Sequence, residues 1–127
     1  MTRVLLVEDE PAVRETLALM LRDGAHEVVA VASAVDALSA LLDPGVGFDA
    51  AVLDLTLGEH TETLHRAVAR AGLPVLLVSG RDPDALPTHA RAHGWAYLAK
   101  PVEAAALRDA IDRIITPERS MADPVPT

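Results

Sequence analysis

Residues 4–11 read Val-Leu-Leu-Val-Glu-Asp-Glu-Pro. Four aliphatic residues in a row suit a strand buried on both faces, as in a parallel sheet. Three acids follow at once, Glu8, Asp9 and Glu10. Pro11 then suits the first turn of a helix, where its missing N–H costs nothing. The stretch reads as a strand, an acidic loop and the start of a helix. The rest of the chain keeps that rhythm. Comparable β-branched or aliphatic runs lie at Val28–Val31, Ala50–Leu53, Val75–Val78 and Ala96–Ala99. The last is weaker by composition and is placed mainly by the alternation.

Helical patterns fill the intervals. From Pro11 to Asp23, Val13, Leu17, Met20 and Leu21 recur at i, i+4, i+7 and i+8, one face of a helix. Gly24 is placed to end it. Ser33 can cap a second helix, with Leu38, Leu41 and Leu42 facing inward, until Asp43-Pro44-Gly45 breaks it. A third helix is expected from about Glu62 to Ala71, closed by Gly72. A last one is expected over Val102 to Ile115, with Leu107, Ile111, Ile114 and Ile115 as its apolar stripe. The fourth connection holds Pro83 and Pro87, which leave room for one short helix near Pro87–His93. Strand and helix alternating five times imply an α/β domain with a parallel sheet and helices on both faces.

Composition narrows the function. The chain has 127 residues, the size of one domain, and half are hydrophobic. Nineteen acids against eleven bases give a net charge of −8, and ten of the bases are arginines. Lys100 is the single lysine. Cysteine is absent, which excludes disulfides and Cys-based zinc or iron–sulfur sites. So acidic a chain is a poor nucleic-acid binder, since phosphates need a basic stripe. Phe48, Trp95 and Tyr97 are too few for a base-stacking platform. No apolar run approaches the roughly 18–20 residues of a membrane span, and no secretion signal opens the chain. A cytoplasmic domain is expected, over residues 1–116. Residues 117–127, with three prolines and little apolar content, are expected to be a disordered tail.

In open α/β sheets, ligands sit beyond the carboxyl ends of the strands. The residues there are Glu8, Asp9 and Glu10 after the first run, Asp54 after the third, Ser79 after the fourth and Lys100 after the fifth. Polar residues follow strands anyway, because loops are solvated. Four strand ends supplying acids, a hydroxyl and the only lysine make a more specific pattern. Clustered carboxylates repel by about 1–4 kcal/mol per close pair. A hard divalent cation offsets that, and oxygen-only ligands suit Mg²⁺. Asp54 can then act as a nucleophile that carries a phosphoryl group. Metal ion and lysine would neutralise the phosphoryl oxygens, and the Ser79 hydroxyl would hydrogen-bond them.

The segments Val4 to Pro11, Ala51-Val-Leu-Asp54-Leu, Val75-Leu-Leu-Val-Ser79-Gly80 and Tyr97-Leu-Ala-Lys100-Pro101 resemble the receiver domain of bacterial two-component response regulators, of the CheY-like stand-alone type, over about residues 2 to 115. The resemblance implies a flavodoxin-like three-layer sandwich with a five-stranded parallel sheet in the order 2-1-3-4-5. It implies transfer of a phosphoryl group from a phosphohistidine onto Asp54, not turnover of a substrate. Glu8, Asp9, Asp54 and the backbone carbonyl of Thr56 would hold Mg²⁺, and Lys100 would pair with the phosphate. Ser79 would be the switch hydroxyl, Tyr97 the aromatic that turns inward, and the Lys100–Pro101 bond cis. Implied partners are a sensor histidine kinase or histidine phosphotransfer protein and a downstream protein target. A homodimer through the last helix and fifth strand stays open. Twelve residues after 115 are too few for a DNA-binding domain, so output is expected through protein contacts.

The sequence departs from the family pattern after Asp54, where Gly58 replaces the usual proline and Glu62 lies where a glycine is common. The spacing from Asp54 to Ser79 is also shorter than the family's, and the fourth connection is broken by prolines, so the third and fourth helices are expected to be short or irregular. A pseudo-receiver that binds partners without phosphorylation is the main alternative. A small phosphatase or a flavin binder is a further one, although Glu8-Asp9-Glu10 would repel a flavin phosphate. His89 and His93, at i and i+4, can bind metal on a helix, but no third ligand lies near and a solvated face is the plainer reading. His60 and His65 read as surface residues. Trp95 reads equally as packing or as part of a partner-binding patch with Tyr97.

Overall fold

The computed structural model describes residues 2–55, 58–80 and 88–115. Thr56, the proline-bearing stretch 81–87, the side chain of His89 and the tail 117–127 lie outside the described residues. Five parallel strands form one sheet: β1 (Arg3–Val7), β2 (Glu27–Val31), β3 (Ala50–Asp54), β4 (Val75–Ser79) and β5 (Ala96–Ala99). Their order is β2-β1-β3-β4-β5. Between them run α1 (Pro11–Asp23), α2 (Ala34–Leu42), α3 (Thr61–Arg70), α4 (Thr88–Ala92) and, last, α5 (Ala104–Ile115). Helix α3 is short but regular, and α4 is little more than one turn. No helix among the described residues is long and apolar enough to cross a membrane.

The period-two alternation of strand side chains divides the core into two layers. Val4 and Leu6 face one way and meet Leu17 and Leu21 of α1 and Leu107 and Ile111 of α5. Leu5 and Val7 face the other way and meet Ala34 and Ala37 of α2, Leu64 and Val68 of α3 and Ala90 of α4. A strand with helices on both sides has no solvent face, which is why β1, β3 and β4 are aliphatic apart from one polar residue at an end of each, Arg3, Asp54 and Ser79. β5 is an edge strand and only half-buried, which accounts for its weaker signal.

Local chemistry fixes several boundaries. Pro11 occupies the first turn of α1, and the Ser33 hydroxyl accepts from the Asp36 N–H at 3.1 Å to cap α2. Two expectations need correction. Leu42 does not face inward and is 81% exposed. The closest approach of α2 to the sheet is made by Ala34 and Ala37, with Leu38 and Leu41 half-buried beside them, because small side chains let the helix sit close. His65 is not a surface residue but is buried, 2% exposed. It follows Leu64 on the inward arc of α3, and its ring meets Trp95 edge-on at 5.5 Å. Gly24 ends α1 as expected, with φ −83°, and the left-handed residue at that turn is its neighbour Ala25, at φ 70°.

An alanine at φ 70° carries a Cβ clash that glycine lacks. Ala25→Gly is expected to stabilise the fold by about 0.5–1 kcal/mol, read as a higher urea midpoint with an unchanged slope. A lower midpoint would contradict the assignment of strain to this residue.

Candidate functional site

The sheet register assembles the site. Val7 pairs with Leu53, so the next residues, Glu8 and Asp54, arrive side by side at the carboxyl edge. Asp54 pairs in turn with Val78, and Ser79 with Ala99. Backbone bonds extend the ladder past the strands: Glu8 N–H donates to Val31 at 3.1 Å, Leu55 N–H to Val78 at 3.0 Å and Lys100 N–H to Ser79 at 2.9 Å. The Lys100–Pro101 peptide bond is cis, as the resemblance implies.

Glu8 is buried, at 1% exposure, and Asp54 at 2%. Asp9 is exposed. The three carboxylates each offer an oxygen, and these oxygens lie within 4.8 Å of one another. The Lys100 ammonium reaches into the cluster, 2.9 Å from Glu8 Oε1 and 3.5 Å from Asp54 Oδ2. The other oxygen of Glu8 accepts from the Glu10 N–H at 3.1 Å, and Arg14 donates to the Glu8 carbonyl at 2.9 Å. So the first turn of α1 clamps the loop from two sides. The acid cluster fits a hard divalent cation, since every donor is a carboxylate oxygen and one face, at Asp9, is open to water.

Burial pushes the Glu8 carboxyl above the usual carboxylate range, against the pull of Lys100 and the Glu10 amide, and the Asp54 carboxylate pushes the same way. Burial alone would lower the Lys100 ammonium. The Glu8 and Asp54 carboxylates outweigh it, so that its pKa is raised. The two shifts act oppositely on stability. The Lys100 contribution is present at neutral pH and is lost as pH rises through its raised value. Glu8 favours the folded state in acid, and that benefit disappears as pH rises from the ordinary carboxylate value through its raised one.

Ser79 is buried at the end of β4. Its carbonyl accepts from the Lys100 N–H and from the Tyr97 hydroxyl at 3.4 Å. Tyr97 is half-buried and packs on the core layer shared by α2, α3 and α4. Four of the sequence candidates, Glu8, Asp9, Asp54 and Lys100, therefore gather at one point, with Ser79 and Tyr97 tied to it through the Ser79–Lys100 backbone. Two features were missed from sequence. Arg14 anchors the Glu8 carbonyl, but as one of ten arginines it carried no distinguishing signal. The nearer partner of Lys100 is Glu8, which only the register across β1, β3, β4 and β5 could reveal.

The family described as "Response regulator receiver domain" matches residues 4–112. The response regulator protein FleR of Pseudomonas aeruginosa is 39% identical over 116 residues, covering 87% of this chain and 24% of that protein. The sensory/regulatory protein RpfC of Xanthomonas campestris is 30% identical over 133 aligned positions, covering 98% of this chain and 18% of its own length. The chain thus spans about a fifth to a quarter of these relatives. Among solved structures, a CheY-like receiver domain from Methylobacillus flagellatus superposes with TM-score 0.77 at 28% identity, covering 90% of this chain and 98% of that one. One from Methanospirillum hungatei gives 0.82 at 23% identity, covering 95% and 98%, a likeness of fold.

Removing the ammonium leaves Glu8 and Asp54 facing each other without a cation. Lys100→Ala is expected to lower stability at pH 7 by about 1–3 kcal/mol in metal-free buffer. The deficit should shrink as the buffer is acidified and Glu8 takes up a proton. Urea titrations across that range check this, and a deficit independent of pH would contradict it.

Proposed function

This chain belongs to the response regulator receiver domains, and from that premise we propose that Asp54 is its phosphoacceptor, with a phosphohistidine as the donor. The supporting observation is the position of Asp54: buried at the carboxyl end of a central strand, within an acid cluster and 3.5 Å from the only lysine in the chain. In the reaction, a carboxylate oxygen of Asp54 attacks phosphorus in line. The bond from phosphorus to the imidazole nitrogen breaks, its electron pair stays on that nitrogen, and the imidazole takes a proton from water. Asp54 is left as an acyl phosphate.

Glu8, Asp9 and Asp54 would hold Mg²⁺. When bound, Mg²⁺ supplies positive charge that offsets the carboxylates and the oxygens in transfer. The Thr56 carbonyl, the further ligand in this reading, lies outside the described residues. Lys100 leaves Glu8 for a phosphoryl oxygen, which its flexible stem and compact charge permit. The Ser79 hydroxyl hydrogen-bonds the phosphoryl group. Tyr97, bonded to the Ser79 carbonyl, carries the change toward β5 and α5. The donor would be a sensor histidine kinase or a histidine phosphotransfer protein in the cytoplasm. Output would pass to a downstream protein target by direct contact, with a homodimer through α5 and β5 as one form of it. The domain extends over 1–116 in this reading.

Intact mass after incubation with Mg²⁺ and a small acyl phosphate tests the assignment. The wild-type chain should gain one phosphoryl group, Asp54→Asn none, and equal uptake by both would refute it. No uptake by either would favour a binding module that works without phosphorylation. In a Mg²⁺ titration followed by amide shifts, Asp9→Ala should bind at least roughly ten-fold more weakly, because it removes a charged ligand. Unchanged affinity would place the metal elsewhere. Lys100→Arg should keep the fold yet impair the response to phosphorylation, since a planar guanidinium does not replace the ammonium as a point charge.

A further inference from the structure

A second feature lies at the opposite edge of the sheet. Pro74 precedes β4 and Gly94 and Trp95 precede β5, so residues gathered around them sit at the amino ends of the strands, away from Asp54. Two adjoining depressions meet there and share Ala69 and His93. One, of about 480 Å³, is lined by Leu73, Pro74, Trp95 and Ile114, with Arg113 beside them. The other, of about 350 Å³, is lined by Glu62, His65, Arg66, Arg70 and His93.

The charge of this groove runs against that of the chain. The protein carries −8, yet three of its ten arginines converge here and Glu62 is the one acid among the described lining residues. Arg66 and Arg70 lie one turn apart on α3, a like-charge spacing that is unfavourable in itself, although Arg70 in the last turn suits the helix dipole. All three arginines are exposed, and among the described residues no carboxylate lies within 4.0 Å of their guanidinium groups. The apolar part is held in place. Trp95 meets the buried His65 edge-on at 5.5 Å and stacks on His93 at 5.3 Å with 18° between the rings. A fixed aromatic beside planar, fork-like cations is the combination that carries much of the energy in protein–protein contacts.

We propose that this groove docks an acidic peptide segment of a partner protein. A bulky apolar side chain would enter the Trp95 depression, and flanking carboxylates would pair with Arg66, Arg70 and Arg113. A carboxylate accepts a bidentate guanidinium pair, and the net negative charge elsewhere on the chain turns such a segment away from other faces. A bare inorganic anion would use the arginines and leave the larger, apolar depression empty. This reading is independent of phosphorylation at Asp54.

The test is a titration of ¹⁵N-labelled protein with a short synthetic peptide of Asp and Glu around a Leu-Phe pair, following the Trp95 indole and arginine Nε signals. A saturable shift of the indole is expected. Affinity should fall at least roughly ten-fold in the double variant Arg66→Gln/Arg70→Gln, and fall with added salt. Arg113→Gln alone should weaken it less, and Asp54→Asn should bind as the wild type does. The same variants measured free confirm the fold by their amide spectra. The proposal is overturned by no shift, by equal binding in the double variant, by equal binding of a peptide with Lys in place of the acids, or by shifts confined to the Glu8–Asp54 edge. It is also overturned if inorganic phosphate alone reproduces the whole effect.

Discussion

Lys100 Nζ lies 2.9 Å from one buried carboxylate and 3.5 Å from another. That contact governs the carboxyl edge of the sheet. Glu8 and Asp54 are both almost wholly removed from water, where two ionised acids would repel by about 4 kcal/mol at 4 Å and intermediate dielectric. The ammonium makes the arrangement tolerable without neutralising it, since Asp9 adds a third negative charge at the rim. In the proposed reading, that surplus is what a divalent cation, and then a phosphoryl group, would bind. A fully compensated cluster would be stable and inert.

The fold exists to hold that imbalance. Burying β1, β3 and β4 between two layers of helices fixes the register of their ends, because a slip of one residue would turn every aliphatic side chain to the wrong layer. With the register fixed, Glu8, Asp54, Ser79 and Lys100 have no freedom to disperse. The Lys100 N–H bonded to the Ser79 carbonyl then ties the ammonium's backbone to the strand that carries the hydroxyl. The Tyr97 hydroxyl on the same carbonyl links the site to the edge strand. A short chain of bonds therefore runs from the Asp54 edge to β5, an only half-buried edge strand of the sheet.

Much of this was legible in the sequence. Continuous aliphatic runs marked β1, β3 and β4 because strands covered on both faces need no polar positions. The strand-end acids and the single lysine were legible because topology decides where strand ends meet. Pairing within the cluster was not. Whether Lys100 contacts Glu8 or Asp54 depends on ångström distances across three strands, and no local pattern encodes it. On α2 the leucine pattern marks Leu38 and Leu41 as core-facing but not the exposed Leu42, and it passes over Ala34 and Ala37, whose small side chains allow the close approach. His65 and Trp95 were opaque for the same reason. Their contact joins α3 to the start of β5, distant segments with no shared periodicity.

The most direct measurement uses the fact that Lys100 is the only lysine. Labelling lysine with ¹⁵N gives one side-chain ammonium signal, which can be followed while the protein is phosphorylated in Mg²⁺. The account predicts that this signal moves from a position set by Glu8 and Asp54 to a new one as the acyl phosphate forms, and returns on hydrolysis. In Asp54→Asn it should stay still. A signal that is the same with and without phosphate on Asp54 would contradict the claim that one ammonium links the acid cluster to phosphoryl transfer.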